Sequence, residues 1–180
     1  MGGCFEGRGL SKRFGRFLLR NSSHKPDIEI IFLSAKLHRM IKTPSLTIRI
    51  AAALIDDDAG RLLLVRKAGT QWFMQAGGKI EEGESPMSAL RRELSEEIGL
   101  AFADDRARHL GAFSAPAANE PDHIVEAEVF HIRVSHDPII RSEIEEAVWV
   151  SRSQAESMPL APLTRDHILP LSLELRLDRF

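Results

Sequence analysis

Three glutamates, Glu93, Glu96 and Glu97, fall at positions i, i+3 and i+4 of a stretch whose apolar residues recur at helical spacing. On a helix this spacing gathers three carboxylates into one stripe, in which Glu93 and Glu97 repel across a turn and the last turn disfavours anions. Most acidic stripes are solvated charged faces. A local violation of helix rules is nevertheless typical of functional sites, and hard divalent cations such as Mg²⁺ or Mn²⁺ prefer carboxylate oxygens. The stripe therefore predicts a divalent-cation site.

The helix that carries this stripe is marked at both ends. Ser85 is a favourable N-cap, Pro86 suits the first helical position, and Gly99 is a natural stop. We therefore predict a helix over residues 86–98. Its buried face comprises the apolar residues Met87, Leu90, Leu94 and Ile98. The acidic stripe lies beside this face, so packing of the helix fixes where the carboxylates point.

The helix lies within a longer pattern of fixed spacing. Gly78 is followed after five residues by Glu84, and seven residues later comes the run RELSEEIGL, which ends at Leu100. At these positions the sequence resembles the Nudix hydrolase family, whose signature is GX5EX7REUXEEXGU with U an aliphatic residue. The resemblance implies an α/β (α+β) fold, a Nudix-type α/β/α sandwich with a mixed β-sheet and the motif in a loop-helix-loop. It also implies Mg²⁺-dependent cleavage of a diphosphate linkage in a nucleotide, with Mn²⁺ as the alternative cation.

The resemblance assigns roles to the charged residues of the motif. The implied metal ligands are Glu93, Glu97, Glu96 and the carbonyl of Gly77. Arg92 is then expected to orient Glu93 by charge-assisted hydrogen bonds, and Glu84 to support the loop or to bind the metal through water. These roles agree with the chemistry, because metal ions neutralise a diphosphate and lower the pKa of the attacking water.

The resemblance leaves the catalytic base open. Some family members use a glutamate of the helix, and others use one on a distant loop. Glu120 is the loop candidate in this sequence, because it lies in the stretch SAPAANEPD, residues 114–122. An exposed loop acid without a catalytic role fits the same position equally well.

An anionic substrate also requires positive charge near the metal. Arg66 ends the second predicted strand and Lys79 follows the double glycine. In the enzymes that this sequence resembles, these positions often contact phosphates, so the resemblance implies that role for both residues. The expected substrate-binding residues are Arg66, Lys79, Gly78 and Phe73. Phe73 fits a core position as well as a base-stacking one, and Lys79 fits a solvated surface as well as a phosphate site. Ala76 departs from the proline that the family usually has before the double glycine.

The net charge of −2 conceals two unlike segments. Residues 1–43 carry nine Lys and Arg against three acids, a net charge of +6, which leaves −8 for residues 44–180. We expect a basic N-terminal arm, residues 1–43, that is disordered, a targeting segment or an overextended start with Met40 as the true one, followed by a Nudix hydrolase domain, residues 44–180. The lone Cys4 excludes an intramolecular disulfide, and we expect a cytoplasmic protein.

The remaining pattern predicts strands and helices that surround the motif. Apolar and β-branched runs separated by turn residues predict a hairpin, residues 46–55 and 61–67, and a second helix follows near the end of the chain, with Pro170 as a potential break. The predicted strands are residues 46–55, 61–67, 109–115, 124–134 and 147–151, and the second predicted helix is residues 164–177.

Substrate identity is left open by the sequence. Pro116 and Glu120 resemble the proline and loop glutamate of ADP-ribose-cleaving members, whereas the compact domain equally resembles members that hydrolyse ordinary or oxidised nucleoside triphosphates such as 8-oxo-dGTP. The alternatives are a non-catalytic nucleotide-sensing module, which usually lacks motif glutamates, and an isopentenyl diphosphate isomerase-like enzyme, which needs a site cysteine. We expect a small-molecule nucleotide partner, no nucleic-acid or membrane partner, and a homodimer as one open assembly.

Overall fold

The computed structural model describes residues 46–177, so the predicted arm, residues 1–43, lies outside the described part of the chain. Seven strands and three α-helices follow in order, with a 3₁₀ turn at Asp104–Arg106 and a π-helical turn at Thr164–Ile168. The strands are β1 (Leu46–Asp56), β2 (Leu62–Lys67), β3 (Phe73–Met74), β4 (Ala76–Lys79), β5 (Ala107–Pro116), β6 (His123–Arg133) and β7 (Ile144–Val150). The helices are α1 (Pro86–Ile98), α2 (Arg152–Glu156) and α3 (Leu169–Leu177).

β1 is the organising strand of one mixed seven-stranded sheet. It pairs in parallel with β6 along its whole length and antiparallel with β4 through residues 50–53. It meets β2 only where Asp56 lies opposite Leu62, so the expected β1–β2 hairpin is reduced to a single pair. β2 pairs instead with β3 and β7, and β5 completes the other edge beside β6. The split between β1 and β2 leaves room for β4, which leads directly into the motif.

Helices cover both faces of this sheet. On one face α1 packs Leu90 and Leu94, both fully buried, against alternate residues of β1 such as Ala53. On the other face the C-terminal segment packs Ile168 and Leu169 against the remaining residues of β1, β2 and β6. The α/β/α sandwich with a mixed sheet is therefore confirmed, and the motif lies in a loop-helix-loop, as expected.

Helix α1 has the predicted bounds because its caps are formed as the residue types require. The Ser85 hydroxyl accepts a hydrogen bond from the Ser88 amide, Pro86 begins the helix, and Gly99 adopts a left-handed conformation with φ of 64°. The Gly99 amide donates to the Leu94 carbonyl and closes the last turn. The axial position of every motif side chain is thereby set.

The predicted C-terminal helix is divided into a π-helical turn and α3. The Leu169 amide donates to the Thr164 carbonyl, five residues back, and α3 continues from there. Pro170 has no N–H to give to the preceding turn, so the widened turn is the physical result of its position. None of the helices among residues 46–177 combines the length and the apolar character needed to cross a membrane.

The packing of α1 predicts the effect of truncating its buried face. Leu90→Ala should lower the free energy of unfolding by about 2–5 kcal/mol, because it removes a fully buried side chain and leaves a cavity against the sheet. Leu173→Ala is the matched control on α3, where the side chain is 44% exposed, and should change stability by about 0.5 kcal/mol. Urea denaturation of the two variants checks this; equal losses would contradict the packing described.

Candidate active site

A cavity of about 550 Å³ opens where β1, β4, α1 and three loops meet. Its floor is apolar and comes from alternate residues of β1, Ile48, Ile50 and Ala52. The helix contributes the acidic wall, and the loops after β5, β6 and α2 form most of the rest. The site residues expected from the sequence that line it are Gly77, Gly78, Lys79, Glu93, Glu96, Glu97 and Glu120.

The double glycine allows α1 to approach the sheet closely. Gly77 has φ of 139°, and a Cβ built on it would lie 2.2 Å from the Ala51 carbonyl oxygen. A Cβ on Gly78 would lie 2.3 Å from the carboxyl carbon of Glu93. Gly77 therefore requires glycine for its conformation and its contact with β1, whereas a side chain at Gly78 would displace the Glu93 carboxylate.

Glu97 is the most buried charged group of the site, with a side chain only 2% exposed. Its Oε2 accepts a hydrogen bond of 2.8 Å from the Gly77 amide. Its Oε1 lies 3.0 Å from the Lys67 ammonium, and within residues 46–177 it has no partner besides this ion pair. Burial raises the pKa of the Glu97 carboxyl, and the Lys67 charge opposes that rise.

Arg92 links the other motif carboxylates from outside the cavity. Its guanidinium donates to Glu93 at 2.7 Å and to both oxygens of Glu84 at 2.9 and 3.2 Å. A further bond of 3.0 Å reaches the Lys79 carbonyl and ties the loop after β4 to the helix. These bonds lower the pKa of Glu84, which supports the loop and does not line the cavity. Glu96 is 57% exposed and lies 3.7 Å from Arg92.

The donor set fits a hard divalent cation in chemistry. Glu93, Glu96 and Glu97 present carboxylates to one cavity, and the buried Oε1 of Glu97 has no hydrogen bond. Within residues 46–177, however, no three His, Cys, Asp or Glu side chains are gathered closely enough to hold a metal. Arg92 bonds only Oε1 of Glu93, whereas the ion pair of Lys67 with Glu97 Oε1 must open before that oxygen can bind a cation.

Lys67 and Glu143 are site residues that the sequence analysis missed. Lys67 forms ion pairs with both Glu97 and Glu143, and all three line the cavity. The alternation of side chains along β2 could have indicated Lys67, because neighbouring strand residues point to opposite faces. Glu143 comes from the loop before β7, 46 residues beyond Glu97, and no local pattern places it there.

Arg66 and Phe73 lie away from the cavity. The Arg66 guanidinium pairs with Glu145 and Glu146 at 2.9 Å each, and these bonds raise its pKa. Phe73 is buried in the core beneath the C-terminal segment and does not line the cavity, and the Arg66 guanidinium lies 5.8 Å from its ring centre. Among the basic residues of β2, it is Lys67 rather than Arg66 that reaches the cavity.

A buried polar pair lies at the apolar end of the cavity. The Thr164 hydroxyl donates a 2.8 Å hydrogen bond to the Gln75 side-chain oxygen, and both residues line the cavity. The Gln75 amide nitrogen makes no hydrogen bond within the described residues. Thr164 begins the π-helical turn, a distortion that is frequent at functional sites. Pro116 and the exposed Glu120 line the same cavity from the loop after β5.

Residues 46–171 match the family model of the NUDIX domain, which is more than half of the chain. The chain belongs to the Nudix family. Among Nudix relatives, the CTP pyrophosphohydrolase of Escherichia coli (strain K12) is 34% identical over 122 residues, 64% of this chain and 84% of that protein. The 8-oxo-dGTP diphosphatase of Haemophilus influenzae is 42% identical over 57 residues, 29% of this chain and 42% of that protein.

The Nudix fold of this chain also matches solved structures. The solution structure of the E. coli ORF135 protein superimposes with a TM-score of 0.59 and 28% identity, covering 74% of this chain and 94% of that one. As a Nudix family member, the chain is a hydrolase acting on phosphorus-containing acid anhydrides. The Nudix family uses divalent cations, which agrees with the carboxylates of α1.

The Glu84–Arg92 pair predicts how stability depends on pH. Because Arg92 lowers the pKa of folded Glu84 below the ordinary value of 4.5, the pair stabilises the fold above that pH, and the contribution is lost as the pH falls through the lowered value. Glu84→Gln should therefore be less stable than the parent at pH 7, with a difference that shrinks below pH 4.5. Urea denaturation across this range checks it. A difference that stays constant with pH would refute the ionic contribution.

Proposed function

We propose that this Nudix hydrolase is a divalent-cation-dependent enzyme that cleaves a diphosphate linkage of a nucleoside triphosphate and releases a nucleoside monophosphate. The observation that carries the proposal is the buried Glu97, whose Oε1 is held only by the movable Lys67 side chain within residues 46–177 and which lines one cavity with Glu93 and Glu96. Burying a charged carboxylate is costly unless it is compensated. Metal binding would explain why a carboxylate is buried at this position. Mg²⁺ is the proposed cation, with Mn²⁺ as the alternative.

The residues of the chain divide the work by position. Glu93 and Glu97 would hold the cation, with Glu96 and the Gly77 carbonyl as further ligands. A bound divalent cation supplies charge neutralisation of the diphosphate and acidifies the attacking water. Arg92 orients Glu93, since it bonds Glu93 and Glu84 together.

Positive charge for the phosphates comes from two lysines. Lys67, the last residue of β2, and Lys79, the last residue of β4, both line the cavity. Both reach the space in front of the carboxylates, whereas the Arg66 guanidinium is engaged by two glutamates elsewhere. We therefore assign phosphate binding to Lys67 and Lys79 in place of Arg66.

Two loop glutamates are candidates for the general base. Glu120 lines the cavity on the side of β5 and is exposed, so it is free to move toward a bound substrate. Glu143 lines the other side and is paired with Lys67. Because Glu143 already has a cationic partner, Glu120 is the proposed base. The proposed role of Glu143 is to pair with Lys67.

The apolar end of the cavity fits a nucleobase. Its β1 floor is apolar, and the Gln75 amide offers donors that are not used within the described residues. A polar group of this kind discriminates strongly between bases, because a mismatched base leaves it unpaired. The CTP pyrophosphohydrolase and 8-oxo-dGTP diphosphatase relatives support a nucleoside triphosphate. ADP-ribose is the second candidate, favoured by Pro116 and Glu120 on the cavity wall.

The other readings of the fold are less well supported. A nucleotide-sensing module has no need of the complete set of motif glutamates, all of which are present here. An isomerase of isopentenyl diphosphate needs a cysteine in the site, and Cys4 lies outside the described residues. Within residues 46–177 the cavity therefore favours hydrolysis over both alternatives.

A substrate panel tests the proposed hydrolysis. Purified protein with Mg²⁺ should release a monophosphate from at least one of the ordinary nucleoside triphosphates, 8-oxo-dGTP or ADP-ribose. Glu97→Gln should lower kcat by about 100-fold or more, because it replaces a carboxylate ligand, while circular dichroism stays unchanged. Glu174→Gln, at an exposed site on α3, is the matched control and should keep full activity. Absence of turnover across the panel would sink the proposal.

The nucleobase assignment has its own test. Thr164→Val keeps the shape of the side chain but removes the hydroxyl that holds Gln75, so discrimination among the four bases, measured as ratios of kcat/KM, should narrow by about tenfold. Thr47→Val, on the exposed start of β1, is the control. Unchanged ratios in Thr164→Val would place base recognition elsewhere.

A further inference from the structure

The ammonium of Lys67 lies between two carboxylates of unlike exposure. Nζ is 3.0 Å from Oε1 of Glu97, whose side chain is 2% exposed, and also contacts Oε1 of Glu143, whose side chain is 57% exposed. Only the Glu143 contact is a hydrogen bond by geometry. Lys67 therefore shares its ammonium between a buried carboxylate and an exposed one.

A cation bound to Glu97 through Oε1 would occupy the space in which the Lys67 ammonium now lies. The other oxygen, Oε2, is fixed by the Gly77 amide and cannot turn away without losing that bond. A divalent cation and the Lys67 ammonium thus compete for the same oxygen. Coulomb repulsion between two such cations at contact distance is large in a site this buried.

We infer that Lys67 is a placeholder cation: it neutralises Glu97 in the metal-free protein and passes to Glu143 when a divalent cation binds. The inference rests on the proposed metal site and adds a positioning residue that acts through Glu97. Lysine suits the exchange, because its compact charge is carried on a flexible stem.

Glu143, to which the Lys67 ammonium would pass, lies on a loop that backbone hydrogen bonds hold in place. The Arg141 amide donates to the Glu97 carbonyl at 2.9 Å, and the Ile139 amide donates to the Ile98 carbonyl at 3.0 Å, so the loop before β7 is tied to the end of α1. Ser142 then takes a left-handed conformation with φ of 54°, which is strained for a residue other than glycine. This turn directs Glu143 to Lys67. Because the loop is bonded to the end of α1, the helix also sets the distance between the carboxylates of Glu97 and Glu143.

Metal titration of the free enzyme tests the exchange. By isothermal titration calorimetry with Mg²⁺ or Mn²⁺, Lys67→Met should bind the cation about tenfold more tightly than the parent, since the competing ammonium is gone. Lys79→Met removes a charge from the same cavity that has no ion pair to Glu97 and should change the affinity by less than about threefold. If both variants gained the same affinity for the cation, the cause would be the lower positive charge of the cavity as a whole, and the inference would be overturned.

Thermal unfolding separates a placeholder from a merely structural lysine. Metal-free Lys67→Met should melt below the parent, because Glu97 is left buried without its cation, and saturating Mg²⁺ should remove most of that deficit. A structural lysine would give the same deficit with and without Mg²⁺, which would contradict the inference. The measurement in Mg²⁺ also shows whether the variant is folded.

A double-mutant cycle tests the role of Glu143. Glu143→Gln should weaken metal binding in the parent, where Lys67 then stays on Glu97, but should have no effect in the Lys67→Met background. Weakening in both backgrounds would make Glu143 a direct ligand and overturn its role as receiver. If the parent binds no divalent cation, the proposed function fails as well; if it binds one and Lys67→Met binds no more tightly, only the placeholder inference fails.

Discussion

The buried carboxylate of Glu97 is the constraint on which the rest of the site depends. A charge 2% exposed is stable only with compensation from fixed partners, and here these are the Gly77 amide and the Lys67 ammonium. The amide can reach Glu97 only because Gly77 adopts a backbone conformation with φ of 139° within the β4–β1 pairing. The unusual split between β1 and β2, which admits β4, is therefore part of how one side chain is held.

The same carboxylate explains why α1 breaks the rules of helix stability. Glu96 and Glu97 stand in the last turn without a basic residue there, against the helix dipole. Arg92 compensates Glu93 and Glu84 on one side of the helix, and Lys67 compensates Glu97 on the other. The carboxylates of the site thus form two groups, each with two carboxylates on one cationic side chain, so each group keeps a net negative charge that attracts a further cation.

Features that depend on neighbouring residues could be predicted from the sequence, whereas contacts between residues far apart in the chain could not. Helix α1 was predicted with its observed bounds because Ser85, Pro86 and Gly99 act locally, and the fold class followed from the motif. The β1–β2 hairpin was wrong in extent, because β4, a four-residue strand rich in glycine, gives no strand pattern of its own. To predict that Lys67 and Glu143 belong to the site, one must know which face of β2 meets the cavity. One must also know of a contact between residues 76 positions apart in the sequence.

We propose that Glu97 and Glu93 share one divalent cation in this cavity. The most direct measurement is an anomalous difference map from a crystal of the protein with Mn²⁺. We expect a peak between the carboxylates of Glu93 and Glu97, with the Lys67 ammonium moved to Glu143. A peak elsewhere, or a Lys67 ammonium still in contact with Glu97 beside the bound ion, would contradict it.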